Sequence, residues 1–101
     1  MFIISLHYCV PLSIIDKYIA DHKAFLEEHY ANGNFILSGR KNPRTGGVII
    51  STIQEREHLN IVLAQDPFHR ASLAHYDIIE IEPTMCAKPL EYLIKSENEA
   101  K

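Results

Sequence analysis

Residues 35–52 read FILSGRKNPRTGGVIIST. Two apolar runs, Phe35 to Arg40 and Gly47 to Thr52, flank the link Lys41-Asn42-Pro43-Arg44-Thr45-Gly46. Runs rich in β-branched and aromatic residues, bounded by Gly, Pro and Asn, form strands joined in a hairpin. A hairpin in the middle of the chain makes the helical stretches on either side of it crossovers.

Upstream, Phe2 to Cys9 alternates, with Phe2, Ile4, Leu6 and Tyr8 on one face and Ile3, Ser5, His7 and Cys9 on the other, as a first strand does. Pro11 suits an early helical position. Leu12, Ile15, Ile19, His22, Leu26 and His29 then recur every three or four residues, the stripe of an amphipathic helix. Asn32-Gly33 ends it, since glycine takes the left-handed conformation past a helix terminus. Downstream, Thr52 and Glu55 have capping-box spacing, predicting a second helix to about Gln65 with Leu59, Val62 and Leu63 buried. Asp66-Pro67 interrupts it, Phe68 to Ala74 reads as a short helical turn, and Tyr76 to Glu82 alternates as a fourth strand. Residues 85–94 carry no decisive pattern.

The order βαββαβ predicts the α+β class and the ferredoxin-like plan: a four-stranded antiparallel sheet with two helices on one face. The covered face is expected to hold Phe2, Ile4 and Leu6; Phe35 and Leu37; Val48 and Ile50; and Ile79 and Ile81. The opposite face then carries Ile3, Ser5 and His7; Ile36, Ser38 and Arg40; Ile49 and Ser51; and Tyr76 and Ile78. That mixture is too apolar for water and too polar for a dry core, so two copies are expected to stack it as a homodimer enclosing a small cavity. A half-solvated sheet is the plainer alternative.

The length of 101 residues, 47% of them apolar, fits one domain, expected over residues 1–95, with a polar tail over 96–101. Ten Lys plus Arg against thirteen Asp plus Glu leave a net charge of −3, so no excess positive field exists to hold nucleic acid. No apolar run approaches the ~18 residues of a membrane span, and the first residues lack the basic start of a signal peptide, so the cytoplasm is the expected location. Cys9 and Cys86, without metal-ligand spacing, read as reduced, buried thiols. No metal or cofactor is expected.

His22 sits in the apolar stripe of the first helix, where an imidazole serves either as a tied-down core group or as an acid and base. Asp66 before Pro67 suits a helix cap; a carboxylate held stiffly there also suits orienting an imidazole, and one carboxylate can do both. Ser38-Gly39 offers a hydroxyl and an accessible amide, although glycine there also eases a bulge. Arg40, Lys41 and Arg44 read as a solvated loop or as a grip on a small anion. His7, His29, His58, His69 and His75 show no HExxH pairing and read mostly as surface or packing residues.

Taken together, His22-Lys23-Ala24-Phe25-Leu26, Gly33-Asn34-Phe35-Ile36-Leu37-Ser38-Gly39, Gly46-Gly47-Val48-Ile49-Ile50, Asp66-Pro67-Phe68 and Tyr76-Asp77-Ile78-Ile79-Glu80-Ile81 resemble the YCII-related (YciI-like) family over nearly the whole chain. The resemblance implies a dimeric α-β barrel, the superfamily of muconolactone isomerases and related dehalogenases, with a His and Asp pair in a pocket. By position these are His22 and Asp66. Arg40 stands where the family's frequent Ser-Gly-Pro places proline, putting a flexible cation where a rigid residue is usual. The implied function is a small-molecule enzyme of isomerase or lyase type. In it His22 shuttles a proton and Asp66 sets its tautomer, while His7, Ser38, Gly39, Arg40 and Phe68 contact an anionic substrate. The alternatives are a dimer that binds or senses a small molecule without turnover, and a purely structural dimer.

Overall fold

The computed structural model describes residues 1–94; the expected tail over 96–101 lies outside them. Strand β1 (Phe2–Tyr8) leads into helix α1 (Leu12–Ala31), and the hairpin of β2 (Phe35–Arg40) and β3 (Gly46–Ser51) follows. Helices α2 (Arg56–Leu63) and α3 (Pro67–Arg70), strand β4 (Ala74–Glu80) and a 3-10 helix (Lys88–Leu93) complete the order. The sheet runs β2-β3-β1-β4 with every neighbouring pair antiparallel, so the ferredoxin-like α+β arrangement holds. Among the described residues no helix is long and apolar enough to cross a membrane.

Helix α1 stops where the sequence says: Gly33 has φ +83°, and the Asn32 amide donates to the Glu28 carbonyl. Its buried residues are Ile15, His22, Phe25 and His29. Ile15 and Phe25 join Phe2, Ile4 and Leu6 of β1, Phe35 of β2, Ile49 of β3, Leu59, Val62 and Leu63 of α2, and Phe68 of α3 in one core, against whose aromatic rings His22 and His29 pack. Each large apolar side chain taken fully from water contributes about 1.5–3 kcal/mol.

Three local expectations are corrected. Glu55, not Thr52, is the N-cap of α2, and its side chain makes no capping bond. The Thr52 hydroxyl instead donates to the Gly33 carbonyl (2.7 Å) and Ser51 Oγ to the Asn34 carbonyl (2.8 Å), pinning the α1–β2 connection to the end of β3. A polar side chain meeting a closer backbone acceptor has left the cap empty. Cys9 is exposed and Cys86 half-buried, both free, because β1 ends at Tyr8 and leaves Cys9 outside the sheet.

The third correction concerns the faces. Ile4 lies opposite both Ile49 and Ile78, and residues directly opposite in an antiparallel pair share a face. Ile49, Tyr76 and Ile78 therefore join the covered side, while Val48, Ile50 and Ile79 point away from it. In β2 the register shifts between Phe35 and Leu37, so Ile36 is an extra residue and the alternation flips. Phe35, Ser38 and Arg40 lie on the helix side, and Leu37 is on the uncovered one. That uncovered face presents Ile3, Leu37, Val48, Ile50 and Ile79, with Leu37 59% and Ile79 56% exposed. It is more apolar than the sequence suggested.

Candidate active site

Asp66 is fully buried, at 0% exposure, yet its side chain is fully engaged. Its position before Pro67 makes it the N-cap of α3, and Oδ1 accepts the Phe68 amide at 3.0 Å. The same Oδ1 accepts from Nδ1 of His22 at 2.8 Å. Oδ2 accepts the Tyr76 hydroxyl at 2.6 Å. A buried carboxylate is tolerated only when donors replace its lost water, and three do so here. Cap and orienting group are therefore one carboxylate.

Burial first, and then the neighbouring Asp66 charge, push the Tyr76 phenol well above its usual value of 10.0. Tyr76 thus remains a hydrogen-bond donor throughout the neutral range. Unfolded chains ionise this phenol near 10.0, whereas the folded chain retains the proton. Its stabilisation is accordingly whole below that pH and falls as pH rises above it, by about 1.4 kcal/mol per pH unit. Urea unfolding between pH 8 and 11 should show the wild type losing stability more steeply than Tyr76→Phe. Parallel slopes for the two proteins would remove this role for Tyr76.

His22 is 9% exposed and stacks on Phe68, with ring centroids 4.0 Å apart and planes 5° from parallel. With Nδ1 donating to Asp66, the neutral ring carries its lone pair on Nε2. That nitrogen has no protein partner, yet no buried side-chain nitrogen or oxygen among the described residues lacks one; Nε2 is therefore open. It opens on a cavity of about 310 Å³ between α1 and the β2–β3 end of the sheet. The wall is apolar at Leu6, Ile19, Leu26, Ile49 and Phe68, and cationic at Lys23, Arg40 and Arg44.

Of the residues expected at a site, the structure brings together His22, Asp66, Ser38, Gly39, Arg40 and Phe68. Ser38 Oγ is hydrogen-bonded to the Tyr30 hydroxyl, and Arg40 has no ion pair among the described residues. His7 is not brought in: it lies on the uncovered face between Lys41 and Asp77, 3.5 Å from the latter's carboxylate. The cavity is itself on the helix side of the sheet, a correction to the expected nook between two stacked faces, and it follows from the flip in β2 that turns Ser38 and Arg40 inward. Arg44 comes from the basic loop whose sharper reading is a grip on a small anion, and it lines the cavity, whereas Lys23 and Tyr76 carry no such mark in the sequence. For Lys23 the available signal is that it adjoins His22.

A second network supports the junction. His29 is buried; Nε2–H donates to Gln65 Oε1 (2.9 Å) while Nδ1 accepts from Asn34 Nδ2 (3.0 Å). Two histidines of α1 thus bind the consecutive residues Gln65 and Asp66. Among the described residues no three His, Cys, Asp or Glu side chains converge as metal ligands.

Residues 1–82 match the model of the YCII-related domain family. No curated protein matches the sequence. Among solved structures, 5-chloro-2-hydroxyhydroquinone dehydrochlorinase from Burkholderia phenoliruptrix AC1100, in complex with 2,5-dihydroxybenzoquinone, is similar with a TM-score of 0.69. The likeness covers 83% of this chain and 96% of that one at 19% sequence identity, and is a likeness of fold.

Proposed function

The chain belongs to the YCII-related domain family, and from that premise we propose that it is a small-molecule enzyme of isomerase or lyase type in which His22 is the base. The observation that carries this reading is the single open nitrogen of a buried imidazole whose other nitrogen is tied to a buried carboxylate. Nε2 takes a proton from a carbon next to a carbonyl, and the electrons of that C–H bond pass into an enolate. Asp66 stabilises the imidazolium so formed without taking the proton. Returning the proton at a different carbon completes an isomerisation; departure of a leaving group with its electron pair from the neighbouring carbon completes an elimination. The second outcome is the one named in the dehydrochlorinase of similar fold.

Arg40 is suited to hold an anionic group of the substrate bidentately, and Phe68 fixes the plane of the base by stacking. Two copies pair through Ile3, Leu37, Val48, Ile50 and Ile79, an apolar patch larger than scattered surface residues form. The pocket in this reading is walled by one subunit, and the dimer covers the opposite side of the sheet.

The test follows the proton. Small oxo acids and hydroxylated quinones incubated with the protein in D2O should gain deuterium at carbon, or lose a leaving group, as followed by NMR. His22→Asn should slow this by about 100-fold or more. An unchanged rate in that variant would refute the base, while binding without exchange by any compound would favour the sensing dimer. Sedimentation should give twice 11.6 kDa, and a monomer at high concentration would refute the pairing.

A further inference from the structure

The cavity beside His22 runs against the sign of the molecule. The chain carries a net charge of −3, yet the wall holds Lys23, Arg40 and Arg44 and no carboxylate. Arg44 is already answered: its Nη2 donates to Asp16 Oδ1 at 2.6 Å. Lys23 and Arg40 have no carboxylate within ion-pair distance among the described residues. One comes from α1 and the other from the end of β2, so they approach the cavity from the helix and from the sheet.

Lys23 and Arg40 are both exposed, so water screens their mutual repulsion, but neither has a fixed counter-charge and both add to the positive charge that His22 acquires when Nε2 takes a proton. Asp66 balances the imidazolium, but it is spent on that one charge. The remaining two call for negative charge on the ligand itself. A single anionic group reaching one of them leaves the other without a counter-charge, whereas two separated groups, one for the helix side and one for the sheet side, answer both. The apolar residues between them fit a carbon skeleton, and about 310 Å³ limits it to a compact one.

We propose that this cavity takes a compact dicarboxylate, one acid group held by Lys23 from the helix and the other by Arg40 from the sheet. The inference rests on reading this cavity as the substrate site, and it concerns binding alone. Calorimetric titration of the whole protein with benzene-1,3-dicarboxylate and benzoate, and with glutarate and valerate, reads it directly. Each diacid should bind about tenfold or more tighter than its monoacid partner, and 0.5 M NaCl should shrink that ratio. Lys23→Gln and Arg40→Gln should each bring the ratio close to one, with the circular dichroism spectrum unchanged.

His22→Asn should leave the ratio intact. A diacid preference with no turnover by any compound would keep this inference and sink the catalytic reading. Equal binding of diacid and monoacid, or a preference that survives both Lys23→Gln and Arg40→Gln, would overturn the inference even if a different substrate is turned over.

Discussion

Replacing Asp66 by alanine should cost about 3–5 kcal/mol of folding stability, the range expected when one member of a buried, hydrogen-bonded polar group is removed. The Phe68 amide would lose its cap, the Tyr76 hydroxyl its acceptor, and the His22 Nδ1–H its partner, all in a place closed to water. Asp66→Asn separates structure from charge. Its amide oxygen can still accept from Phe68 and His22, while the new NH2 faces a Tyr76 hydroxyl able to turn and accept. We therefore expect Asp66→Asn to retain most of the fold, with a loss of about 1–3 kcal/mol. Any proton transfer at His22 should nonetheless fall as far as in His22→Asn, because the imidazolium loses its counter-charge. Chemical unfolding of the two variants checks this. An Asp66→Ala protein within 1 kcal/mol of wild type would show that the network is not what holds α3 against α1.

Gly46→Ala should be as damaging, for a different reason. A Cβ at Gly46 would lie 1.7 Å from the Leu6 carbonyl oxygen and 2.8 Å from its carbon, and both are backbone atoms of the central strand β1. No rotamer change relieves that contact; β1 and β3 must move apart where Gly46 pairs with His7. We expect a loss of about 3 kcal/mol or more, lowering the melting temperature of a chain this size by about 12 °C or more. Gly47→Ala is the internal comparison, since its Cβ would meet the Gly39 carbonyl oxygen at 3.0 Å, a contact that a small shift relieves. Equal melting temperatures for Gly46→Ala and wild type would contradict the tight β1–β3 approach on which the cavity wall depends.

The hairpin was legible because Gly and Pro mark its turn, and β2 begins and ends where its apolar run does. The stop of α1 was legible because only a left-handed residue fits there, and Gly33 supplies it. The faces of β3 and β4 were not, and the cause is local. Val48-Ile49-Ile50 and Ile78-Ile79 are apolar at both parities, so alternation cannot say which side is inward. Only pairing with Ile4 decides it. In β2 the extra residue at Ile36 inverts the pattern, a bulge that no composition announces.

The site divides in the same way. Helical spacing marks His22 and cap chemistry marks Asp66, and only the family resemblance joins them. Their 2.8 Å bond depends on how α1 packs against the α2–α3 junction, a distance of 44 residues along the chain. Alternation alone assigns Tyr76 to the uncovered face, which hides it as the third donor to Asp66. The place of Lys23 at the cavity and the His29–Gln65 bond belong to tertiary packing alone.

One spectrum bears most directly on the account. Long-range proton–nitrogen NMR of the imidazoles at neutral pH, with His22 assigned by comparison with His22→Asn, reports which ring nitrogen carries the proton. The account predicts a His22 proton at Nδ1, held by Asp66, and an Nε2 signal that moves when a cavity ligand is added. A His22 whose Nδ1 carries no proton, or one whose Nε2 ignores every ligand that binds the cavity, would contradict it.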